Sequence, residues 1–370
     1  MTRADAAAAI LWVGATLYAV FGGADFGAGL WDLVAGDAEK GERPRALIQR
    51  SLTPVWEANH VWLIFILVVL WTAFPEAFGA VMSTLYVPLA LAAVGIVLRG
   101  AGFAFRKSIR SLQARRAMGA AFALSSVLTP FTMGAVVGAI AAGNVPSGGD
   151  GDAFSSWIAP LPLLVGALFV ASGAYLAAIF LVSDAHRPGT RAVDERRPGV
   201  PAGGPSDPDG RFRFPRLRLT PRASRSGAGR LEDYFARRAL WAALFSGAFA
   251  IAGIFALHSE ARYIYDRLTS DALPLVIVSA LCGLAVLALL LRGARRGLRP
   301  LAIGAVVAVI WGWGVAQFPY LLPTSLKISQ SAAPGPTLDA VLIVFVIATI
   351  VVLPSLGLLY WLSQRELLGE

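Results

Sequence analysis

The sequence predicts an all-α, polytopic membrane protein with about nine transmembrane helices, its N-terminus outside and its C-terminus in the cytoplasm. Three observations carry that expectation. First, 56% of the 370 residues are hydrophobic and only 15% are charged, with a mean hydropathy of +0.65; soluble domains carry about 25% charged residues. Second, the charges are fenced off from one another, leaving apolar gaps of roughly 18 residues or more, long enough for a helix to cross a bilayer. Third, Lys and Arg crowd the loops of one side, as they do on the cytoplasmic face of membrane proteins.

The gaps run 6–24, 58–75, 77–98, 117–149, 153–183, 239–259, 272–291, 300–326 and 340–364. The first continues into "GGADFGAGLWDL", has no small-residue cleavage pattern and follows no strongly basic stretch, so no removable signal peptide is read. The second opens on "PVWEANHVWLIF" and closes on Trp71 and Phe74, which fit an aromatic belt at the outer face. The third ends at Arg99, in "LRGAGFAFRKS", where arginine usually marks the cytoplasmic end of a span. In the fourth, "AAFALSSVLTPFTMGAVVGAIAAG" is rich in small residues that let helices approach closely in lipid. Between the fifth and sixth spans, residues 184–238 are rich in Arg, Pro and Gly with too little apolar content for a core, and read as a mostly disordered cytoplasmic loop. That loop is either a tolerated insertion or an anchor on anionic lipid. It divides the chain into a bundle over 1–183 and a second over 239–370. Cys282, the single cysteine, lies in the seventh span and reads as packing. "AQFPYLLPTSL" ends the eighth span as a helix stop with Gln317, Pro319 and Pro323.

With nine spans, the 32 Lys and Arg sort almost entirely to one side; only Arg3, Arg262, Arg267 and Lys327 fall opposite. The net charge of +9 and pI near 10.2 therefore reflect topology, and nucleic acid is not an expected partner. No GxxxxGK[ST], HExxH, CxxC or GxSxG pattern occurs, so phosphate binding, zinc hydrolysis, thiol redox and serine hydrolysis have no support.

Glu57, Asn59 and His60 stand at the head of an apolar helix, where an ionisable residue costs about 2.5–3.5 kcal/mol at the bilayer centre and less near its edge. Two readings follow: an interfacial carboxylate paired with a nearby Arg, or a functional acid. His60 is one turn beyond Glu57 and shares its helix face. Asp25 approaches the membrane from the same cytoplasmic loop, so Asp25, Glu57, Asn59 and His60 can form one polar cluster and a proton entry; helix-end polarity is the plainer reading of Asp25. The other histidines, His186 and His258, offer His60 no evident partner for a buried heme, and Met82, Met118 and Met133 are more often core packing. Trp56 and Trp62 flank the motif, and the indole N–H of the deeper Trp62 calls for a protein environment. A stand-alone ion or proton-coupled transporter built on Asp25, Glu57 and His60 is the rival reading, although its polar residues lie at one edge and no internal repeat is evident.

Taken in order, "GGADFGAGLWDL", "PVWEANHVWLIF", "FPEAF", "LRGAGFAFRKS" and "AQFPYLLPTSL" resemble subunit II of the cytochrome bd-type quinol oxidases, over nearly the whole chain except the Arg-rich loop. The W-[ED]-x-N-x-x-W core at Trp56 to Trp62 is the most specific piece. The resemblance implies a respiratory terminal oxidase of the bacterial cell membrane that oxidises quinol and reduces oxygen to water. It implies a heme-bearing subunit I holding two b-type hemes and one d-type heme, with no heme in this chain. It also allows a small accessory subunit and a quinone held as a structural lipid. By the same resemblance Glu57 and Asp25 fall on a proton path from the cytoplasm, with Asn59 and His60 beside it, and Trp62 lies near an oxygen route. Trp56, Arg99 and Pro319 match structural or partner-facing positions.

Overall fold

The computed structural model describes residues 2–36, 41–52, 56–105, 112–185 and 227–364; the side chains of residues 52–59 and most of the Arg-rich segment, 186–226, lie outside the described residues. Helix dominates throughout. Helix α1 (Arg3–Leu17) starts from a Thr2 cap whose hydroxyl accepts from the Asp5 N–H while Asp5 accepts from Thr2 N. It passes through a π-helical turn, Tyr18–Gly22, into α2 (Gly23–Leu33). Then come α3 (Glu42–Leu52), α4 (Trp56–Ala73), α5 (Pro75–Thr84), α6 (Tyr86–Phe105), α7 (Leu112–Ala141) and α8 (Pro160–Ala185). After the Arg-rich segment follow α9 (Gly227–Glu260), α10 (Arg262–Leu268), α11 (Leu273–Leu291) and α12 (Leu298–Gln317). A two-stranded antiparallel hairpin, β1 (Tyr320–Leu322) and β2 (Leu326–Lys327), leads through α13 (Ile328–Ser331) to α14 (Gly335–Gln364).

Among the described residues, seven helices are long and apolar enough to cross a membrane: Arg3–Leu33, Met118–Ala141, Pro160–Ala185, Leu231–Glu260, Leu273–Leu291, Leu298–Gln317 and Gly335–Val352. The pair His60–Ala73 and Pro75–Thr84 would make an eighth if counted as one span, and Tyr86–Gly102 is a shorter apolar helix. The protein is thus an all-α, multi-pass membrane protein.

Three sequence expectations change. The stretch 77–98 is not one span, because α5 turns away from α4 by 118° and α6 starts only at Tyr86. Phe74 leaves helical geometry (φ −138°, ψ 62°) and Pro75 begins the next helix, where its missing N–H is harmless. Phe74 itself fills the corner and is wholly buried, so it is no part of an exterior belt, whereas Trp71 is 65% exposed and stacks on Phe78. Helix α9 already begins at Gly227, so residues 227–238 of the expected loop are helical; Phe235, Ala236 and Ala239 are buried against α8 and its neighbours, which gives this extension an apolar face to cover. Finally, "AQFPYLLPTSL" does more than stop a helix. Gln317 is buried and donates to the Leu321 carbonyl, Pro319 follows a cis peptide bond and accepts from Ile328 N, and Thr324 turns the hairpin at φ 63°.

The hairpin and α5 cap one end of the bundle. Ala77 N donates to Ser331 Oγ (3.1 Å), Ala333 N donates to the Ala73 carbonyl, and Arg3 pairs with Asp339. At the opposite end Arg45 pairs with Asp32, Arg295 with Glu232 and Arg299 with Asp184. The centre is held by α2, α7 and α8, whose small residues allow contact between backbones: Gly23 and Gly27 of α2 face Gly173 of α8, and Gly134 and Gly138 of α7 face Gly166 and Pro162.

Candidate functional site

Helix α2 is buried on every residue from Ala24 to Gly29, and it takes a carboxylate with it. Asp25 is 2% exposed, about 12 Å from the helix end at Leu33, given eight residues at 1.5 Å each. Its partner is Arg99 of α6, also 2% exposed. The guanidinium forks onto the carboxylate, with Nη2 2.8 Å from Oδ1 and Nε 3.1 Å from Oδ2. Nη2 also donates to the Asp25 carbonyl at 2.7 Å, and Nη1 donates to Ser126 Oγ of α7 at 2.9 Å. The Ser126 hydroxyl in turn donates to the Phe122 carbonyl. The rings of Phe26 and Phe122 lie 4.8 and 4.6 Å from the guanidinium carbon, within cation–π range.

Backbone sequence makes this arrangement possible. A Cβ at Gly29 would meet Ser126 Oγ and sit 2.8 Å from Arg99 Nη1, so only glycine leaves room for the guanidinium. Gly27 lies against the Gly173 carbonyl, which fixes how deep α2 sits against α8. The π-helical turn just before α2 carries Tyr18, whose ring covers Gly22 and whose buried hydroxyl has no hydrogen-bond partner. Helix α7 adds further buried hydroxyls at Ser125, Thr129 and Thr132, each bonded to a backbone carbonyl.

The sequence-predicted residues fall around this pair unevenly. Asp25 and Arg99, read separately from sequence, are joined; Arg99 does not end a span but lies six residues before the end of α6. His60 of α4 packs edge-on to Phe26, with ring centroids 6.4 Å apart, so one aromatic ring stands between it and the Arg99 guanidinium. Trp62 is half-buried and edge-on to Phe65, which touches Phe345 of α14. Pro319 belongs to the hairpin at the far end. The side chains of Trp56, Glu57 and Asn59 lie outside the described residues, but the helix register of position 57 is fixed. Val61, Ile64, Val68 and Trp71, at spacings of four and three, form one stripe on α4, each at least half exposed, and position 57 continues that stripe one turn earlier. Sequence reading missed Ser126, Phe26, Phe122 and Tyr18; the polar run "SSVLTPFT" inside an apolar span was the available signal.

Among the described residues no group of three or more His, Cys, Asp or Glu could hold a metal ion. His60 and His258 are the described histidines, and His258 lies with Arg262 and Tyr265 at the other end of the bundle.

Comparison with known proteins places the chain. The family model for cytochrome bd terminal oxidase subunit II matches residues 4–197 and 223–363. The chain belongs to this family. The gap between the two matched parts falls within the Arg-rich segment. Cytochrome bd ubiquinol oxidase subunit 2 of Bacillus subtilis (strain 168) is 28% identical over 126 residues, 34% of this chain and 36% of that protein. Cytochrome bd-I ubiquinol oxidase subunit 2 of Escherichia coli (strain K12) is 28% identical over 121 residues, 33% of this chain and 31% of that protein. The similarity thus spans about a third of the length of these relatives. In fold, the subunit II chain resembles a chain of the bd oxidase structure from Geobacillus thermodenitrificans over 100% of both, with a TM-score of 0.71 at 23% identity.

Proposed function

We propose that this chain works as subunit II of a bd-type terminal oxidase in the bacterial cell membrane, supporting quinol oxidation and oxygen reduction to water by a heme-bearing subunit I. The family match along nearly the whole chain carries this reading. The hemes, two b-type and one d-type, belong to the partner in this account; a quinone bound here would act as a structural lipid, and a small accessory subunit can join the complex. Seven crossings together with α4 and α6 make nine, which puts the termini on opposite sides, the N-terminus outside and the basic loops in the cytoplasm.

Within that complex, Glu57 takes up protons from the cytoplasm, with Asn59, His60 and Asp25 completing the polar route and Trp62 beside the route for oxygen. The register of α4 supports a role at the partner. Position 57 belongs to a stripe that its own bundle leaves uncovered, and a carboxylate facing lipid there would be costly. A partner helix laid on that stripe removes the cost and brings Glu57 to the subunit boundary.

The test is a reduced-minus-oxidised optical spectrum of the tagged chain purified in mild detergent, with identification of what co-purifies. Bands of b- and d-type heme together with a second large membrane subunit are expected. A stable, heme-free chain that purifies alone would overturn the reading in favour of a transporter.

A further inference from the structure

We propose that Asp25 and Arg99 form a permanently charged pair, a fixed dipole beside the proton route that carries no proton itself, with Arg99 as the residue that positions Asp25. This deepens the proton-delivery reading and rests on it, because it separates the task of Asp25 from that of Glu57.

A relay carboxyl must release one partner to accept a proton from the next. Asp25 has no such freedom. Both of its oxygens are held by one guanidinium, at 2.8 and 3.1 Å. That guanidinium is itself anchored on the Asp25 carbonyl and on Ser126, and lies between the rings of Phe26 and Phe122. Helix α2 cannot slide to loosen the grip, since Gly27 abuts the Gly173 backbone and Gly29 abuts Ser126 and Arg99. A proton placed on Asp25 would strand the Arg99 charge, 2% exposed, among apolar helices, a state far costlier than the pair.

Among the described residues, the polar groups turned toward the pair are Tyr18 from the π-helical turn, Ser126 from α7, and His60 of α4 behind Phe26. Helix α8 presents only the Gly173 and Ala174 backbone to α2. The pair is neutral as a whole, so its influence on His60 and Glu57 is the orientation of a dipole held still by five contacts.

The experiment uses the complete, heme-loaded complex carrying Asp25→Asn together with Arg99→Gln, which keeps two hydrogen-bonding side chains and removes both charges. Heme content, quinol-driven oxygen consumption and its pH profile are measured. The proposal expects normal heme content, turnover within about threefold of the parent, and a pH-profile midpoint moved by about half a unit or more as the dipole disappears. An assembled double variant that loses about 100-fold or more in turnover makes Asp25 a proton carrier and overturns the proposal. Retained turnover with an unmoved midpoint makes the pair a structural pin and overturns it too.

If the double variant does not assemble, infrared difference spectra of the parent and of Asp25→Glu take its place. A protonated-acid C=O band that moves on this exchange refutes the fixed pair, and the absence of any such band upholds it. Glu57→Gln is assayed alongside. Full turnover in that variant removes the proton-delivery reading itself, whereas loss in both variants removes only the fixed pair.

Discussion

Replacing Gly27 by alanine adds one methyl group at the tightest contact in the bundle. The new Cβ would lie 2.6 Å from Ala174 N and closer still to the Gly173 carbonyl, where ordinary contact begins at 3.4 Å. Both obstacles are backbone, so no side chain can swing aside. Helices α2 and α8 must separate by roughly 1 Å, and overpacking of that kind costs about 1–3 kcal/mol. The separation also pulls Asp25, two residues earlier, away from a guanidinium that α6 and α7 hold in place. Gly79 provides the control, because a Cβ there meets nothing within 4 Å and α5 is helical at that point. Gly79→Ala should be neutral or stabilising by about 0.5–1 kcal/mol, through the smaller backbone entropy of the unfolded chain. Thermal melts of the detergent-solubilised complex, followed by size-exclusion chromatography, should show Gly27→Ala lowered by roughly 2–6 °C and Gly79→Ala unchanged or raised. If Gly27→Ala melts with the parent, the helix contact does not fix α2 and the argument is wrong.

Other perturbations follow from the same contacts. Arg99→Met leaves the Asp25 carboxylate buried without its partner and should cost about 3–5 kcal/mol, seen as a loss of chain from membranes by immunoblot; adding Asp25→Asn should restore much of it, and no recovery would contradict the pairing. Ser331→Ala strands the buried Ala77 N–H at the start of α5, for about 1–3 kcal/mol, and should lower the melting temperature and expose the hairpin to protease; a variant as resistant as the parent would speak against this clamp. In the loop before α8, Asp152 accepts from the Ser155 and Phe154 N–H groups and the Ser155 hydroxyl, which holds its carboxyl below the ordinary value. A depressed carboxyl contributes order above its unfolded value, about 3.9, and loses it only as pH falls through the lower folded value. Hydrogen exchange at Ser155 should therefore be insensitive to that carboxyl at neutral pH and rise only in acid; a titration near neutrality would rule this out.

The membrane character of the chain was plain in the sequence because hydropathy and charge spacing are properties of single segments. What depends on two segments was not. The bend at Phe74 lies between apolar stretches on both sides, so a count of gaps between charges cannot see it; only Pro75 hinted at it. Arg99 sits in "LRGAGFAFRKS", next to a basic loop, and looks like the last residue of a span. Its burial becomes necessary only when Asp25, 74 residues earlier, and Ser126, 27 residues later, are brought beside it. Position 57 shows the same limit from the other side. The acid is conspicuous in sequence, but that α4 turns its stripe away from the bundle appears only once α1, α5 and α14 have covered the opposite face.

The measurement that bears most directly on the account is quinol-driven oxygen consumption and proton uptake by the heme-loaded complex carrying Glu57→Gln. The variant keeps the size and hydrogen bonding of the side chain and removes its titration. The account predicts normal heme bands and co-purification of subunit I, with turnover and proton uptake falling together by about 100-fold or more. Full turnover with unchanged proton uptake would contradict it, and would leave this chain as a scaffold for its partner.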